Sequence, residues 1–303
     1  MVLLLTIAIP TYNRGYILEK TLLNLQNILD LNSTYGGCVE VLISNNGSSD
    51  NTKEVLSKYS FKYFNQNKNI GFDENILFLY KQANSEYILF LSDDDILLYN
   101  GFVCLMNKLT NKIYDLILCN YYSIENGIKV NAFEIFKEIP KESNFIKIAN
   151  LTPFYFLSGF VIRKIKIGDN VKFLKGTYAR QMDICLHILD DKSKYYIMDD
   201  FLVEFMQNKL GGGCNIGPYE YRIQAGFSKV IFKYRQKFSY HYRGVNILLA
   251  YLSGIINLNR TDIYILKKFF ILLNILIELF RDRTFFSITD LFEVIFKKIK
   301  RSF

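Results

Sequence analysis

Three consecutive aspartates, Asp93, Asp94 and Asp95, follow the apolar segment 87–91. A run of Tyr, Ile, Leu and Phe of that length predicts a buried strand, so the carboxylates are expected where the strand ends. Adjacent carboxylates repel each other unless a cation or a helix start offsets the repulsion. Hard oxygen ligands gathered at one point suit Mg²⁺ or Mn²⁺, ions commonly shared with substrate phosphates. The alternative is a cap for a helix beginning near Ile96, although one residue is enough for a cap.

The first hundred residues alternate predicted strands and helices. The predicted strands are 3–9, which Pro10 ends, 39–44, 61–64 and 87–91. The predicted helices are a leucine stripe at positions 18, 22, 25 and 29, a helix opened by Asp50, and residues 72–83. Repeated β-α-β units predict a mostly parallel, Rossmann-like α/β sheet with helices on its faces. Ligands bind such sheets at the carboxyl ends of the strands. The polar clusters expected there are 11–14, 45–50 and 93–95.

The second half of the chain predicts fewer regular elements. We expect strands at 115–122 and 157–163, and Gly159 in the latter allows close approach of a ligand. A helix is predicted at 183–189 and a glycine-rich loop at 211–213. The pattern is helical from position 219 onward. We therefore predict an α/β domain over 1–215, with halves of about 1–120 and 121–215, and an α-helical C-terminal region over 216–303.

Composition narrows the choice of partner and compartment. The chain has 303 residues, half of them hydrophobic, and a net charge of +8, which suits a nucleotide, a phospholipid surface or a nucleic acid. Zinc-finger spacing and RNA-binding aromatic signatures are absent from the sequence, so we expect no nucleic-acid partner. Five widely spaced cysteines without a CxxC pair predict reduced thiols in the cytoplasm. The apolar run 269–280 is too short to span a bilayer.

Four segments in this order resemble the motifs of family 2 glycosyltransferases. They are Ile-Ala-Ile-Pro-Thr-Tyr-Asn-Arg at 7–14, the segment 41–52 with Ser-Asn-Asn-Gly-Ser-Ser-Asp, Asn-Ile-Gly-Phe-Asp-Glu-Asn at 69–75, and the strand with its aspartates at 87–95. The resemblance covers the first third strongly and 150–205 weakly, and the aspartate segment is similar to the abequosyltransferase-type branch. It implies a GT-A fold and an inverting enzyme that moves a sugar from a UDP-, dTDP- or CDP-sugar to a saccharide acceptor in bacterial surface polysaccharide synthesis. The alternatives are an inactive sugar-nucleotide-binding scaffold subunit and a nucleotidyltransferase.

The resemblance also implies roles for individual residues. The expected nucleotide contacts are Pro10, Thr11, Arg14, Asn45, Asp73 and Asp93. Asn45 stands where the family usually carries an Asp that accepts from the uracil ring N–H. Since an amide both donates and accepts, Asn45 suits uracil, thymine or cytosine. Alternatively, Asn45 is a turn residue bonded to its own backbone, and Asp73 is a helix cap.

The resemblance also implies a metal site and a catalytic general base. Asp94 and Asp95 are expected to hold Mn²⁺ or Mg²⁺, because Ser92 stands where the family usually has the first Asp of its acidic motif. Asp183 is expected to be the general base, although Met182 replaces the family's Glu. The alternative for Asp183 is an acid in the first turn of a helix, where the macrodipole favours it.

Apolar stripes over 269–280 and 288–299 and the basic segment 297–301 leave two interpretations open. They predict either peripheral attachment to the cytoplasmic face of an anionic inner membrane, where a lipid-linked acceptor would sit, or packing against the catalytic domain or a second subunit of a homo-oligomer.

Overall fold

The computed structural model describes residues 3–125, 128–131, 142–144, 156–190 and 192–205, together with Phe227, Val230, Lys233 and Tyr234. Within these residues the strands are β1 (Leu5–Thr11), β2 (Val39–Asn45), β3 (Lys62–Asn65), β4 (Tyr87–Phe90), β5 (Ile96–Leu97), β6 (Leu116–Glu125), β7 (Ile128–Asn131), β8 (Glu142–Asn144), β9 (Phe160–Arg163) and β10 (Lys194–Phe205). The helices are α1 (Gly15–Leu31), α2 (Ser33–Gly36), α3 (Thr52–Leu56), α4 (Phe72–Gln82), α5 (Tyr99–Thr110) and α6 (Arg180–Ile188). In this part of the chain, no helix is long and apolar enough to cross a membrane.

The strands form one mixed sheet in the order β3-β2-β1-β4-β9-β6-β10-β5, with β7 beside β6 and β8 beside β10. β1 to β4 pair in parallel, as the repeated β-α-β pattern predicts. β9 lies between β4 and β6 and runs antiparallel to both, so the parallel pairing of the first four strands ends at the centre of the sheet. Strands of both directions are common in large α/β sheets. The order places β9, from late in the chain, directly beside the strand that ends at the aspartates.

Two hydrophobic cores lie on opposite faces of the sheet, because successive side chains of a strand point to opposite sides. Ala8 of β1 belongs to one core, and Ile7 and Ile9 belong to the other. Helices α4 and α6 cover the first face, and α1 and α5 cover the second. The predicted leucine stripe of α1 is buried at Leu18, Leu22 and Leu25.

The predicted end of the first strand at Pro10 is wrong, because β1 continues to Thr11. The Ala8 carbonyl accepts from the Leu91 N–H at 2.9 Å, so Ala8 directs its backbone groups toward β4. Pro10, two residues further on, faces the same side, where β4 has already ended at Phe90. The missing N–H of Pro10 therefore costs the sheet no hydrogen bond, and the strand tolerates the proline.

Several other boundaries differ from the predicted ones. The expected strand over 157–163 starts as a 3₁₀ turn, Leu157–Gly159, and becomes strand β9 only at Phe160. Helix α6 begins at Arg180, three residues earlier than predicted. The glycine-rich loop 211–213, the boundary at 215 and the apolar stripes at 269–280 and 288–299 lie outside the described residues.

Candidate functional site

The loops that follow β1, β2 and β4 lie side by side at one edge of the sheet. Register pairs Thr11 with Asn45 at the ends of β1 and β2, while β4 pairs with the other side of β1. The first two loops are joined directly. The Asn13 N–H donates to the Ser48 hydroxyl at 2.8 Å, and the Ser49 N–H donates to the Asn13 side chain at 2.8 Å. The predicted convergence of three polar clusters is confirmed.

Arg14 joins the first of these loops to the aspartates. Its Nη1 lies 3.2 Å from Asp93 Oδ1, and its Nη2 lies 2.5 Å from Asp94 Oδ2. The Ser92 hydroxyl donates to the second oxygen of Asp94 at 2.5 Å. The Asp93 and Asp94 side chains are only 5% and 10% exposed. Two nearly buried carboxylates thus share one guanidinium, which offsets part of their mutual repulsion.

Burial changes the acidity of Asp93. Loss of solvent, together with the neighbouring charge of Asp94, raises the pKa of this carboxyl to about 7, against the opposing effects of Arg14 and the Thr11 hydroxyl. The carboxyl is therefore poised close to neutral pH and is favoured as a carboxylate by any added cation.

Asp95 faces a different environment from its two neighbours. Its side chain is fully buried, and Oδ2 accepts from the Ser158 hydroxyl at 2.6 Å. The Ser158 oxygen also accepts from the Ser92 N–H at 2.9 Å, so a single serine contacts both ends of the aspartate loop. Ser158 lies in the 3₁₀ turn before β9, the strand next to β4. Asp95 is therefore positioned to hold the loop, while Asp93 and Asp94 face Arg14. The metal role of Asp95 and the nucleotide contact of Asp93 stay predictions.

Helix α1 holds the backbone of the aspartate loop. The Thr21 hydroxyl lies 3.0 Å from the Asp93 carbonyl and 3.2 Å from the Asp95 carbonyl. One turn further on, the Asn24 amide donates to the Leu97 carbonyl at 3.1 Å and accepts from the Leu97 N–H at 2.9 Å. Such a paired contact imitates a strand partner and satisfies buried backbone groups. The positions of the aspartates are thereby tied to the helix whose first turn follows Arg14.

Asn45 is buried and bonded within its own turn. Its Oδ1 accepts from the Ser48 N–H at 3.1 Å, and its Nδ2 donates to Asn65 Oδ1 at 2.9 Å. A backbone N–H can only donate, so the Ser48 contact fixes which end of the amide is oxygen. This is the turn role considered from the sequence, and one amide hydrogen and one lone pair remain for a ligand. A nucleotide role for Asn45 stays a prediction.

The neighbouring Asn46 ties this turn to the next loop. Its side chain donates to Asn69 Oδ1 at 3.1 Å and accepts from the Ile70 N–H at 2.9 Å. Asn69 in turn accepts from the Gly71 N–H at 2.8 Å. The second and third of the recognised motif segments thus form one hydrogen-bonded unit.

Gly47 lets these two loops approach, and we expect Gly47→Ala to loosen them. Its φ is +72°, and a Cβ there would lie 2.5 Å from the Lys68 carbonyl carbon. We expect the free energy of unfolding to fall by about 2–3 kcal/mol, from backbone strain and the displaced loop together. Chemical denaturation would measure this change. Gly176→Ala is the matched control, because Gly176 also has a positive φ of +66° but open space around it. An equal loss in both variants would contradict the close-approach argument.

Asp73 lies in the first turn of α4 and bonds a distant loop. Its carboxylate accepts from the Thr177 N–H at 2.7 Å, and its carbonyl accepts from Arg180 Nε at 3.2 Å. Arg180 also pairs with Glu74 at 3.1 Å. The N-cap position of α4 is held by Gly71, not by Asp73. Asp73 therefore joins α4 to the start of α6 in this structure, and its predicted contact with base or ribose stays a prediction.

Asp183, the predicted base, is fully buried in the first turn of α6. Lys233 Nζ lies 2.7 Å from its Oδ1, and the Tyr234 hydroxyl donates to the same oxygen at 2.8 Å. Its Oδ2 accepts from the Leu174 N–H at 2.9 Å and lies 3.7 Å from Arg180 Nη1. Burial and the Asp183 charge both raise the pKa of the Tyr234 hydroxyl, which keeps that proton on Tyr234. The base role of Asp183 stays a prediction.

The predicted site residues thus fall into two groups. One group lies at the ends of β1, β2 and β4 and comprises Pro10, Thr11, Arg14, Asn45, Asp93, Asp94 and Asp95. The other comprises Asp73 and Asp183, which Arg180 connects through its Nε and Nη1.

Sequence reasoning missed the residues that support both groups. Thr21, Asn24, Ser158, Lys233 and Tyr234 were not singled out, although each contacts a predicted site residue or its loop. Thr21 and Asn24 are polar residues near the buried face of a helix, which is a usable signal. The other three carried no local signal, because their partners are distant in the chain.

The donor set at the aspartates fits a divalent cation only in part. Asp93 and Asp94 direct oxygens to one point, and Arg14 occupies that point. Across the described ranges, no group of three or more His, Cys, Asp or Glu side chains is placed to hold a metal. Two carboxylates are sufficient when substrate phosphates complete the coordination of Mg²⁺. The pair therefore fits a metal that arrives with a diphosphate.

A mixed sheet whose first strands run in parallel, with polar loops and an acidic pair at their carboxyl ends, is typical of α/β proteins that bind a phosphorylated ligand. Comparison with known proteins narrows this class. The model of glycosyl transferase family 2 matches residues 6–169, more than half of the chain, and the chain belongs to that family. It is an inverting glycosyltransferase that uses a nucleotide sugar in bacterial glycan synthesis.

Two curated relatives illustrate the similarity. The GalNAc(5)-diNAcBac-PP-undecaprenol beta-1,3-glucosyltransferase of Campylobacter jejuni is 29% identical over 241 residues, which is 74% of this chain and 71% of that protein. The abequosyltransferase RfbV of Salmonella typhimurium is 32% identical over 124 residues, 39% of this chain and 36% of that protein. The predicted likeness to the abequosyltransferase-type branch is thus found, over a limited stretch.

Solved structures confirm the fold. TarS 1–349 of S. aureus in complex with UDP-GlcNAc has a TM-score of 0.62 and 19% identity, covering 88% of this chain and 76% of that chain. The mannosyltransferase PcManGT of Pyrobaculum calidifontis, in complex with GDP-Man and Mn²⁺, has a TM-score of 0.54 and 11% identity, covering 85% and 75%. The predicted GT-A architecture is confirmed.

Proposed function

We propose that this glycosyltransferase takes a sugar from a pyrimidine nucleoside-diphosphate donor, with Mn²⁺ or Mg²⁺, and transfers it to a lipid-linked saccharide. The observation that carries the proposal is the convergence of Arg14 with the Asp93–Asp94 pair, beside the Asn45 turn. Two similar proteins support it. The Campylobacter jejuni relative is named for an undecaprenol-linked acceptor, and TarS was solved with UDP-GlcNAc.

The chain's own residues have distinct tasks in such a reaction. Asp94 would hold the metal, and we propose Asp93 as its partner in place of the predicted Asp95, because the Asp95 carboxylate bonds Ser158. The metal would supply positive charge to the leaving diphosphate. Arg14, beside Asp93 and Asp94, is placed to face the same anion. Thr21 and Ser158 keep the aspartates in position through the loop backbone and Asp95. Asp183 is the proposed general base for the acceptor hydroxyl, a role that requires Lys233 and Tyr234 to move off its carboxylate.

A donor panel tests this function. The protein would be incubated with Mn²⁺, an acceptor and UDP-, dTDP-, CDP- or GDP-sugars, and release of the nucleoside diphosphate would be followed. Hydrolysis or transfer with a pyrimidine donor supports the proposal. Binding without turnover of any donor would instead support an inactive scaffold subunit, and turnover of GDP-sugars alone would overturn the pyrimidine assignment.

The orientation of Asn45 leaves both cytosine and uracil open as the base. The amide oxygen faces the Ser48 N–H, and the amide nitrogen is the end turned toward Asn65. Its remaining hydrogen suits the ring nitrogen of cytosine, and the remaining lone pair of its oxygen suits the ring N–H of uracil. TarS, solved with UDP-GlcNAc, supports uracil, so CDP and UDP are the two candidates to compare.

We expect Asn45→Asp to move base preference toward UDP. A carboxylate would accept from both the Ser48 N–H and the uracil N–H, and it cannot donate to cytosine. One mismatched buried hydrogen bond costs about 1–3 kcal/mol, so we expect the ratio of UDP to CDP affinity to rise roughly 5- to 100-fold. Isothermal titration with UDP and CDP measures the ratio. The control is Asn84→Asp, since Asn84 is exposed and its amide bonds the Gln82 carbonyl. A clear UDP preference in the unaltered protein would exclude cytosine as the base, and an unchanged ratio in Asn45→Asp would contradict contact between Asn45 and the base.

The proposed place of action is the cytoplasmic face of the inner membrane. The net charge of +8 suits an anionic lipid surface, and the lipid-linked acceptor of the Campylobacter relative supports it. Flotation with anionic and neutral vesicles tests this, and equal recovery with both would count against it. Homo-oligomer formation is a separate proposal, tested by light scattering.

A further inference from the structure

The proposed function does not explain why the side chain of Arg14 lies against both Asp93 and Asp94. It is the last residue before α1, and its side chain is 22% exposed, so it reaches both the aspartates and the open edge of the site. Each terminal nitrogen meets a different carboxylate, Asp93 through Nη1 and Asp94 through Nη2. A guanidinium thus stands where two consecutive carboxylates direct their oxygens.

The charges at this point do not balance when both carboxyl groups are ionised. Asp93 and Asp94 together carry two negative charges when ionised, and Arg14 carries one positive charge that does not titrate in this range. A divalent cation would neutralise the pair, and it would occupy the oxygens that Arg14 now contacts. Metal and guanidinium therefore compete for the same two oxygens, and a released guanidinium needs a new anionic partner.

We propose that Arg14 is a displaceable internal cation that occupies the place of the metal until the donor diphosphate arrives. The oxygens of the diphosphate complete the coordination of the metal. They also accept hydrogen bonds from the freed Arg14. The binding of metal and nucleotide is consequently positively coupled. The nucleotide offers the displaced Arg14 an anionic partner, and the metal displaces Arg14 so that it can reach the nucleotide. The inference rests on the proposed function for the metal and the nucleotide.

Mn²⁺ binding tests the proposal without an activity assay. Free Mn²⁺ would be followed by electron paramagnetic resonance with the unaltered protein, Arg14→Gln and Arg14→Lys, with and without UDP or CDP. We expect the unaltered protein to bind Mn²⁺ weakly alone and more tightly with nucleotide. Arg14→Gln should bind Mn²⁺ alone roughly 5- to 100-fold more tightly and show less coupling to nucleotide. Arg14→Lys should be intermediate, because an ammonium is a point charge that does not bridge two carboxylates as a fork does.

The control variant makes the same change of charge at a position outside the site. Lys58→Gln removes one positive charge from an exposed pair with Glu19 of α1, and it should leave Mn²⁺ affinity unchanged. Unchanged or weaker Mn²⁺ binding by Arg14→Gln would overturn the proposal. If that variant does not fold, absence of coupling between Mn²⁺ and both nucleotides in the unaltered protein would overturn it as well. Failure of the proposed function has a different signature, namely no turnover of any donor whatever the Mn²⁺ affinity.

Discussion

Asp94→Asn should abolish nearly all release of nucleoside diphosphate while leaving the protein folded. Asp94 is the more exposed member of the pair on Arg14, and the amide keeps its shape but removes its charge. Arg14 can still bond the amide oxygen, and the Ser92 hydroxyl, which now donates to the other oxygen of Asp94, can accept from the amide nitrogen instead. If Asp94 holds the cation that neutralises the leaving group, we expect a loss of about 10²–10³-fold in turnover.

The stability of this variant should separate chemistry from folding. The substitution removes one of two carboxylates that repel each other, and Arg14 keeps Asp93 as its partner. We therefore expect a melting temperature equal to or above that of the unaltered protein. Asp169→Asn is the matched control, because the Asp169 side chain is 95% exposed and pairs only with the surface Lys81 among the described residues. Turnover by Asp94→Asn within a few-fold of the control would remove Asp94 from the metal site.

Asp183→Asn should lose both stability and activity. The substitution leaves Lys233 without the carboxylate that lies 2.7 Å from its Nζ, in a place where Asp183 has no exposure. An uncompensated, partly buried cation costs about 2–4 kcal/mol, reduced from a fully buried case because Lys233 is 26% exposed. Loss of a general base would lower turnover by about 10²–10⁴-fold in addition.

A double variant distinguishes the two roles of Asp183. Lys233→Met in the Asp183→Asn background removes the uncompensated cation, while the amide oxygen keeps only one of its two other donors, Tyr234 or the Leu174 N–H. We expect chemical denaturation to show part of the lost stability restored. If turnover stays low in this restored protein, Asp183 acts in the chemistry. If turnover returns with stability, Asp183 is a structural link between α6 and Tyr234, and the base must be sought elsewhere.

Local sequence pattern was sufficient to predict many of the elements in about residues 1–120. The apolar run 87–91 and the carboxylates after it are adjacent in sequence, so their strand-then-loop order follows from hydrophobic period and residue type alone. The leucine stripe of α1 was recoverable for the same reason. Pro10 was misjudged because its tolerance depends on where a neighbouring strand ends, and no local pattern reports that.

The sequence by itself determined the α/β class, the order of the first elements and the polar loops at the strand ends. Its motifs also indicated the glycosyltransferase family. Tertiary structure alone decided what each carboxylate faces. Asp94 meets Arg14 from 80 residues away, Asp95 meets Ser158 because β9 inserts beside β4, and Asp183 is covered by Lys233 from 50 residues further on. The physical reason is that hydrophobic period and turn chemistry are local, whereas desolvation and charge pairing depend on strand order, which brings distant residues together.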